Sequence, residues 1–79
     1  MRVLGIDPGI TRCGIGVVEV DESRRASLVA VSVARSSTKL ATHFRLRDIA
    51  AAIREALDQY RPEVVAIERV FAHDNLQSV

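Results

Sequence analysis

Apolar residues follow two different periods along this chain. Val3-Leu4-Gly5-Ile6 is a short apolar run, and Asp7-Pro8-Gly9 stops it with turn chemistry. Cys13 to Val20 is a second extended run, ended by Asp21-Glu22-Ser23-Arg24-Arg25. Leu28 to Ala34 is a third, with Val29, Val31 and Val33 alternating against Leu28, Ala30 and Ser32. Short connections between the three predict an antiparallel meander. The period then lengthens. Leu46, Ile49, Ala50, Ile53, Ala56, Leu57 and Tyr60 recur at spacings of three and four, the apolar face of a helix over Thr42 to Tyr60. Thr42 is the expected N-cap, and Pro62 stops the helix. Val64-Val65-Ala66-Ile67 does not alternate, the pattern of a strand buried on both faces. From Asp74 the sequence reads as the start of another helix, capped by Asp74 or Asn75.

The order is therefore β-β-β-α-β, then the beginning of a helix. A meander followed by a crossover helix and a further strand predicts a mixed α/β sheet. The crossover places the fourth strand beside the first.

Composition changes this picture in one respect. With 48% hydrophobic residues the chain is globular, yet 79 residues make a small domain at most. The single cysteine excludes an internal disulfide, and no Cys/His cluster has zinc-ligand spacing. Neither usual staple of a small domain is present. The length thus reads as part of a domain. The net charge of +1 gives no electrostatic hint of nucleic acid. Cys13 is expected to be a small apolar filler in a reducing compartment, and no run is long enough to span a membrane.

Two carboxylates are the candidates for chemistry. Asp7 ends the first strand, where open α/β sheets bind ligands; the plainer reading is an Asp that opens a turn. Glu68 ends an apolar run, where an ionised carboxylate needs a cation, a partner or an exposed edge. A salt bridge with Arg69 would also satisfy it. If the fourth strand lies beside the first, the two acids meet at neighbouring strand ends. Such a pair repels unless a proton or a cation stands between the two. Oxygen-only ligands suit Mg²⁺ or Mn²⁺, and paired hard cations serve phosphoryl transfer. Two carboxylates are too few for two metals, so further ligands must come from elsewhere. Phe71 follows in the loop after Glu68, where an aromatic can stack on a base or pack under the next helix. His43 and His73 are isolated and read as surface residues.

These residues carry a resemblance. Leu4-Gly5-Ile6-Asp7-Pro8-Gly9 with Gly14 and Gly16, and then Arg61-Pro62-Glu63-Val64-Val65-Ala66-Ile67-Glu68-Arg69-Val70-Phe71, resemble the two N-terminal blocks of the RuvC family of crossover (Holliday) junction endodeoxyribonucleases. Phe44-Arg45-Leu46 and the helix between the blocks also fit in position. The resemblance covers the whole chain. It implies an RNase H-like fold, of which residues 1–79 are the N-terminal half of a single nuclease domain. It implies a homodimer that resolves four-way DNA junctions in recombination, repair and the SOS response. The cytoplasmic location is expected instead from the lone Cys13 and from an N-terminus that reaches a charge and a Pro within eight residues, too short for a signal-peptide core. The implied partners are the RuvA–RuvB branch-migration complex and no membrane. The implied cofactor is Mg²⁺, two ions per site, with Mn²⁺ able to substitute. Asp7 and Glu68 match the first two catalytic, metal-binding acids. Phe71 matches an aromatic that contacts junction bases, and Arg69 and Asn75 are placed beside it as DNA contacts. The remaining catalytic carboxylates of the family lie further downstream, so the 79 residues alone are expected to be inactive.

Two other readings stand beside this one. Asp7-Pro8-Gly9-Ile10-Thr11 also fits the phosphate loop of actin-like and Hsp70-like ATPases. That class does not need an acid and then an aromatic after the fourth strand. The chain could also be a non-catalytic fragment.

Overall fold

The computed structural model describes residues 1–69. The elements are β1 (Arg2–Asp7), β2 (Arg12–Val20), β3 (Ala26–Arg35), α1 (Thr42–Tyr60) and β4 (Val64–Ile67). The predicted start of a further helix at Asp74 or Asn75 lies outside the described residues, as do Phe71 and His73. The four strands form one sheet in the order β3-β2-β1-β4. β1 is antiparallel to β2 and parallel to β4, and β2 is antiparallel to β3. The mixed sheet and the neighbouring first and fourth strands are as the sequence pattern predicts.

One face of the sheet is built for α1. Leu4 and Ile6 of β1, Cys13, Ile15 and Val17 of β2, and Ala34 of β3 are buried against Ile49 and Ala56 of the helix. Burying a Leu or Val side chain completely is worth about 1.5–3 kcal/mol, so this small cluster is the main source of order. Cys13 sits within it with 1 % of its surface exposed, the apolar filler expected. Alternation then directs Gly5, Asp7, Gly14 and Gly16 to the opposite face. Among the described residues nothing covers that face. A bulge leaves Val29 without a partner, because Val17 pairs with Ala30 and Val18 with Leu28. Val31 and Val33, paired with Gly16 and Gly14, lie exposed on the uncovered face, and the shift at the bulge, which pairs Leu28 with Val18, puts Leu28 there as well.

Two expectations are corrected. The helix is capped by Ala41, not Thr42, and no side chain caps it. Ala41 is extended, and its carbonyl accepts from the N–H groups of Phe44 and Arg45 at 3.0 and 3.1 Å. The cap is therefore made by backbone alone. At the other end Arg61 turns left-handed at φ 46° and donates its N–H to the Leu57 carbonyl at 3.0 Å, one residue before Pro62. The second correction concerns β4. Its apolar run predicted burial on both faces, yet Val64, Val65 and Ile67 are 41, 45 and 65 % exposed. Among the described residues β4 is an edge strand, paired only with β1, and α1 packs over β2 and β3 rather than over it.

The end of the sheet away from Asp7 is tied by Arg2. Its side chain donates to Glu19 and to the Tyr60 carbonyl at 3.1 and 3.0 Å, joining both central strands to the end of α1.

Candidate active site

Asp7 is the last residue of β1, and Glu68 is the first beyond β4. The parallel register pairs Ile6 with Ile67, and the Glu68 N–H donates to the Ile6 carbonyl at 3.0 Å. This continues the ladder one residue past β4 and sets the two acids side by side. Ile6 and Ile67 line a cavity beside α1, so both acids emerge on the uncovered face. Asp7 and Glu68 are both exposed. The strand ends therefore bring together the two residues that the sequence singled out.

The neighbouring Asp7 carboxyl group affects the protonation of Glu68. Glu68 is held above the usual carboxylate range, first by a hydrogen bond with Asp7, then by the negative charge of Asp7, then by partial loss of solvent. A carboxyl shifted upward keeps its proton in the folded state above its ordinary range. In that window the metal-free fold loses stability as pH rises. The acids are held together although their charges oppose it, and a proton or a cation relieves the conflict.

The surroundings keep this pair open. Asp7 is paired across β2 with Gly14, and a Cβ added at Gly14 would lie 3.4 Å from the Asp7 Cβ. A longer side chain there would lean over the carboxylate. Gly5, Gly14, Gly16 and Ala66 floor a shallow depression of about 560 Å³ that runs from Asp7 and Glu68 toward Val31 and Val33. Gly9 has another purpose. A Cβ there would stand 2.2 Å from the Arg12 carbonyl oxygen, so only glycine lets the turn after Asp7 close this tightly.

A residue whose role the sequence did not disclose steadies that turn. Arg45, in the first turn of α1, donates from Nε to Ser36 Oγ at 3.0 Å and from Nη2 to Thr11 Oγ1 at 2.9 Å. Ser36 Oγ in turn donates to the Ile10 carbonyl, and the Ser36 N–H donates to the Thr11 carbonyl at 3.2 Å. The helix start, the β1–β2 turn and the end of β3 are thus clamped together. Arg45 lies four residues before Ile49 and in line with Ala52 and Ala56, at the border of the sheet-facing side of α1, where a charged residue is not part of the apolar repeat and the spacing does not reveal its partners.

Arg69 follows Glu68 directly and is exposed; Phe71 and Asn75 lie outside the described residues. Among the described residues no third His, Cys, Asp or Glu joins the two acids to form a larger metal-binding group. His43 stacks on Phe44 at 4.1 Å between ring centroids, and the Arg47 guanidinium lies 4.9 Å over the same ring. That agrees with the surface reading of His43. No helix among the described residues is long and apolar enough to cross a membrane.

Comparison with known proteins decides the family. The family model for Crossover junction endodeoxyribonuclease RuvC matches residues 3–79. The chain belongs to the RuvC family. It is 56% identical over 79 residues to the RuvC of Clavibacter sepedonicus, covering all of this chain and 39% of that one. It is 54% identical to the RuvC of Paenarthrobacter aurescens, covering 42% of it. The chain thus spans about two fifths of the length of these curated RuvC relatives. The fold is similar to that of Thermus thermophilus RuvC, with a TM-score of 0.83 and 40% identity over 92% of this chain and 45% of that one. It is also similar to T. thermophilus RuvC in complex with a Holliday junction substrate, with a TM-score of 0.81 and 36% identity over 99% and 51%. The mixed sheet and helix are those of RuvC, an RNase H-like fold. The ATPase alternative finds no support in these RuvC likenesses. The Thr11 hydroxyl, which that reading would offer to a phosphate, accepts a hydrogen bond from Arg45 instead.

Proposed function

We propose that residues 1–79 are the N-terminal half of one RNase H-like nuclease domain, in a protein that resolves four-way DNA junctions by metal-assisted hydrolysis. The observation that carries this reading is the parallel register that sets Asp7 beside Glu68 at neighbouring strand ends, on an open sheet face, in a RuvC-family chain.

The residues fit a hard divalent cation. The donors are carboxylate oxygens, they converge from adjacent strands, and their mutual repulsion is relieved by positive charge. Asp7 and Glu68 would hold the ion, Mg²⁺ in this reading with Mn²⁺ as a substitute, and a second ion needs ligands beyond these two. A bound cation supplies charge to the reacting phosphate and makes water a better nucleophile at neutral pH. Asp7 and Glu68 fix the place of reaction at the strand ends. The Arg45 clamp keeps the turn after Asp7 from moving, and Gly14 leaves the phosphate a clear approach. Hydrolysis forms a bond from the water oxygen to phosphorus and breaks the bond to O3′, leaving a 5′-phosphate.

Phe71 stacks on junction bases in this reading, with Arg69 and Asn75 beside it on the DNA. Two opposed cuts require two such sites, hence a homodimer. In this reading the protein acts on chromosomal junctions in the cytoplasm, with the RuvA–RuvB complex as its partner.

The test is selectivity. The full-length protein that carries these residues is expected to cut a four-way junction in Mg²⁺ and to leave a linear duplex of the same sequence intact. Equal cutting of both, or cutting of neither, would overturn the proposal.

A further inference from the structure

Arginines at the two ends of the sheet are treated differently. At the end away from Asp7, Arg2 on β1 stands opposite Glu19 on β2, and the two form a salt bridge at 3.1 Å. At the Asp7 end, Arg12 on β2 stands directly opposite Arg35 on β3. Their neighbours Cys13 and Ala34 are buried beneath α1, so alternation sends both guanidinium groups to the uncovered face. That is the face from which Asp7 and Glu68 emerge. Both arginines are exposed, and no hydrogen bond or ion pair engages either side chain among the described residues.

Directly opposed like charges destabilise a strand pair, because cross-strand Cβ atoms are only about 4.5–5.5 Å apart. The structure nevertheless fastens the strands at this place. Thr11 and Ser36, the residues next to Arg12 and Arg35, are the two that Arg45 clamps, and the Ser36 N–H bonds the Thr11 carbonyl at 3.2 Å. A third guanidinium thus locks two others into a repelling arrangement. An anion between them would turn the repulsion into a fork of donors.

We propose that Arg12 and Arg35 form a phosphate grip on the DNA strand being cut, holding a phosphodiester next to the one over Asp7 and Glu68. The inference rests on the nuclease reading and adds a subsite to it. Gly14 pairs with Asp7, and Arg12 lies two residues from Gly14 on β2. Strand rise and spacing then put the backbone of Arg12 about 8 Å from that of Asp7, within reach of an adjoining phosphate. Arg35 lies one strand further out and approaches the same phosphate from its other side. Arg45 acts on the clamp and is a positioning residue for the pair.

The test uses the full-length protein with a four-way junction and with a single strand of the same sequence, measured over a range of salt. R12A/R35A is expected to lower the slope of log affinity against log salt by about one to two units on both DNAs. Arg25→Ala, in the distant β2–β3 turn, is expected to leave the slope unchanged. Because the arginines repel each other without DNA, R12A/R35A is also expected to keep or raise the melting temperature of the free protein. An unchanged salt slope would overturn the grip. So would a fall in melting temperature with an unchanged slope, which would assign the pair to an acidic segment of the protein itself. A wild-type protein that cuts linear duplex as readily as a junction would sink the junction reading and leave the grip standing on the slope alone. Failure of the wild-type protein to bind any DNA would overturn both.

Discussion

Asp7→Asn or Glu68→Gln, introduced one at a time into the full-length protein, is expected to abolish junction cleavage while junction binding persists. Each change keeps the shape of the side chain and removes its charge. The two acids meet at the ends of β1 and β4, and the charge they share is what would hold a cation at the cleavage site. Neither side chain is part of the buried cluster, so the fold should tolerate both changes. Removing either charge should also relieve the repulsion between them, so the metal-free variants should be no less stable than the parent at neutral pH. The loss should exceed a hundredfold in cleavage rate, with the dissociation constant for uncut junction changed by only a few fold. Cleavage assays run beside gel-shift titrations on the same preparations check this. Near-normal Mg²⁺-dependent cleavage by either variant would remove that residue from the site.

The 79 residues taken alone should not cut DNA. Two carboxylates are the whole cluster among the described residues, and two cannot hold two hard cations that each need several oxygen ligands. The sheet also presents a bare face, with Val31 68 % exposed and glycines along the floor between it and the acids. A face this apolar is poorly stable in water on its own. Incubation of the isolated chain with a four-way junction and Mg²⁺ should leave the junction intact under conditions in which the full-length protein is expected to cut it to completion. Cleavage at comparable rates would mean that Asp7 and Glu68 suffice, and the requirement for further ligands would fall.

Much of this arrangement is legible in the sequence because it follows from local signals. The period change at Thr42 marks the helix, and Asp7-Pro8-Gly9 marks the end of β1. The crossover rule then places β4 beside β1, and the meeting of Asp7 with Glu68 is a consequence of strand order rather than of any motif. The resemblance to RuvC adds what strand order cannot, namely the reaction and its substrate. Other features are illegible for physical reasons. β4 has the composition of a doubly buried strand, but burial depends on what lies against it. Within residues 1–69 it is an edge. Thr42 has the right chemistry for a cap, yet the extended residue is Ala41, a matter of backbone path that side-chain propensity does not report. Arg45 and the opposed Arg12 and Arg35 depend on register between β2 and β3. The bulge at Val17/Val18 shifts that register by one residue, and no spacing rule anticipates it.

The central claim is that Asp7 and Glu68 form one cation-binding unit. It is tested most directly by following the Glu68 carboxyl carbon through a pH titration by NMR, in the full-length protein without metal and again with Mg²⁺. Without metal its midpoint should lie above the usual 4.5, because the hydrogen bond and the charge of Asp7 favour the protonated form. With Mg²⁺ the midpoint should fall, since cation and proton compete for the same oxygens. A Glu68 that titrates at its ordinary value without metal and does not respond to Mg²⁺ would contradict the account.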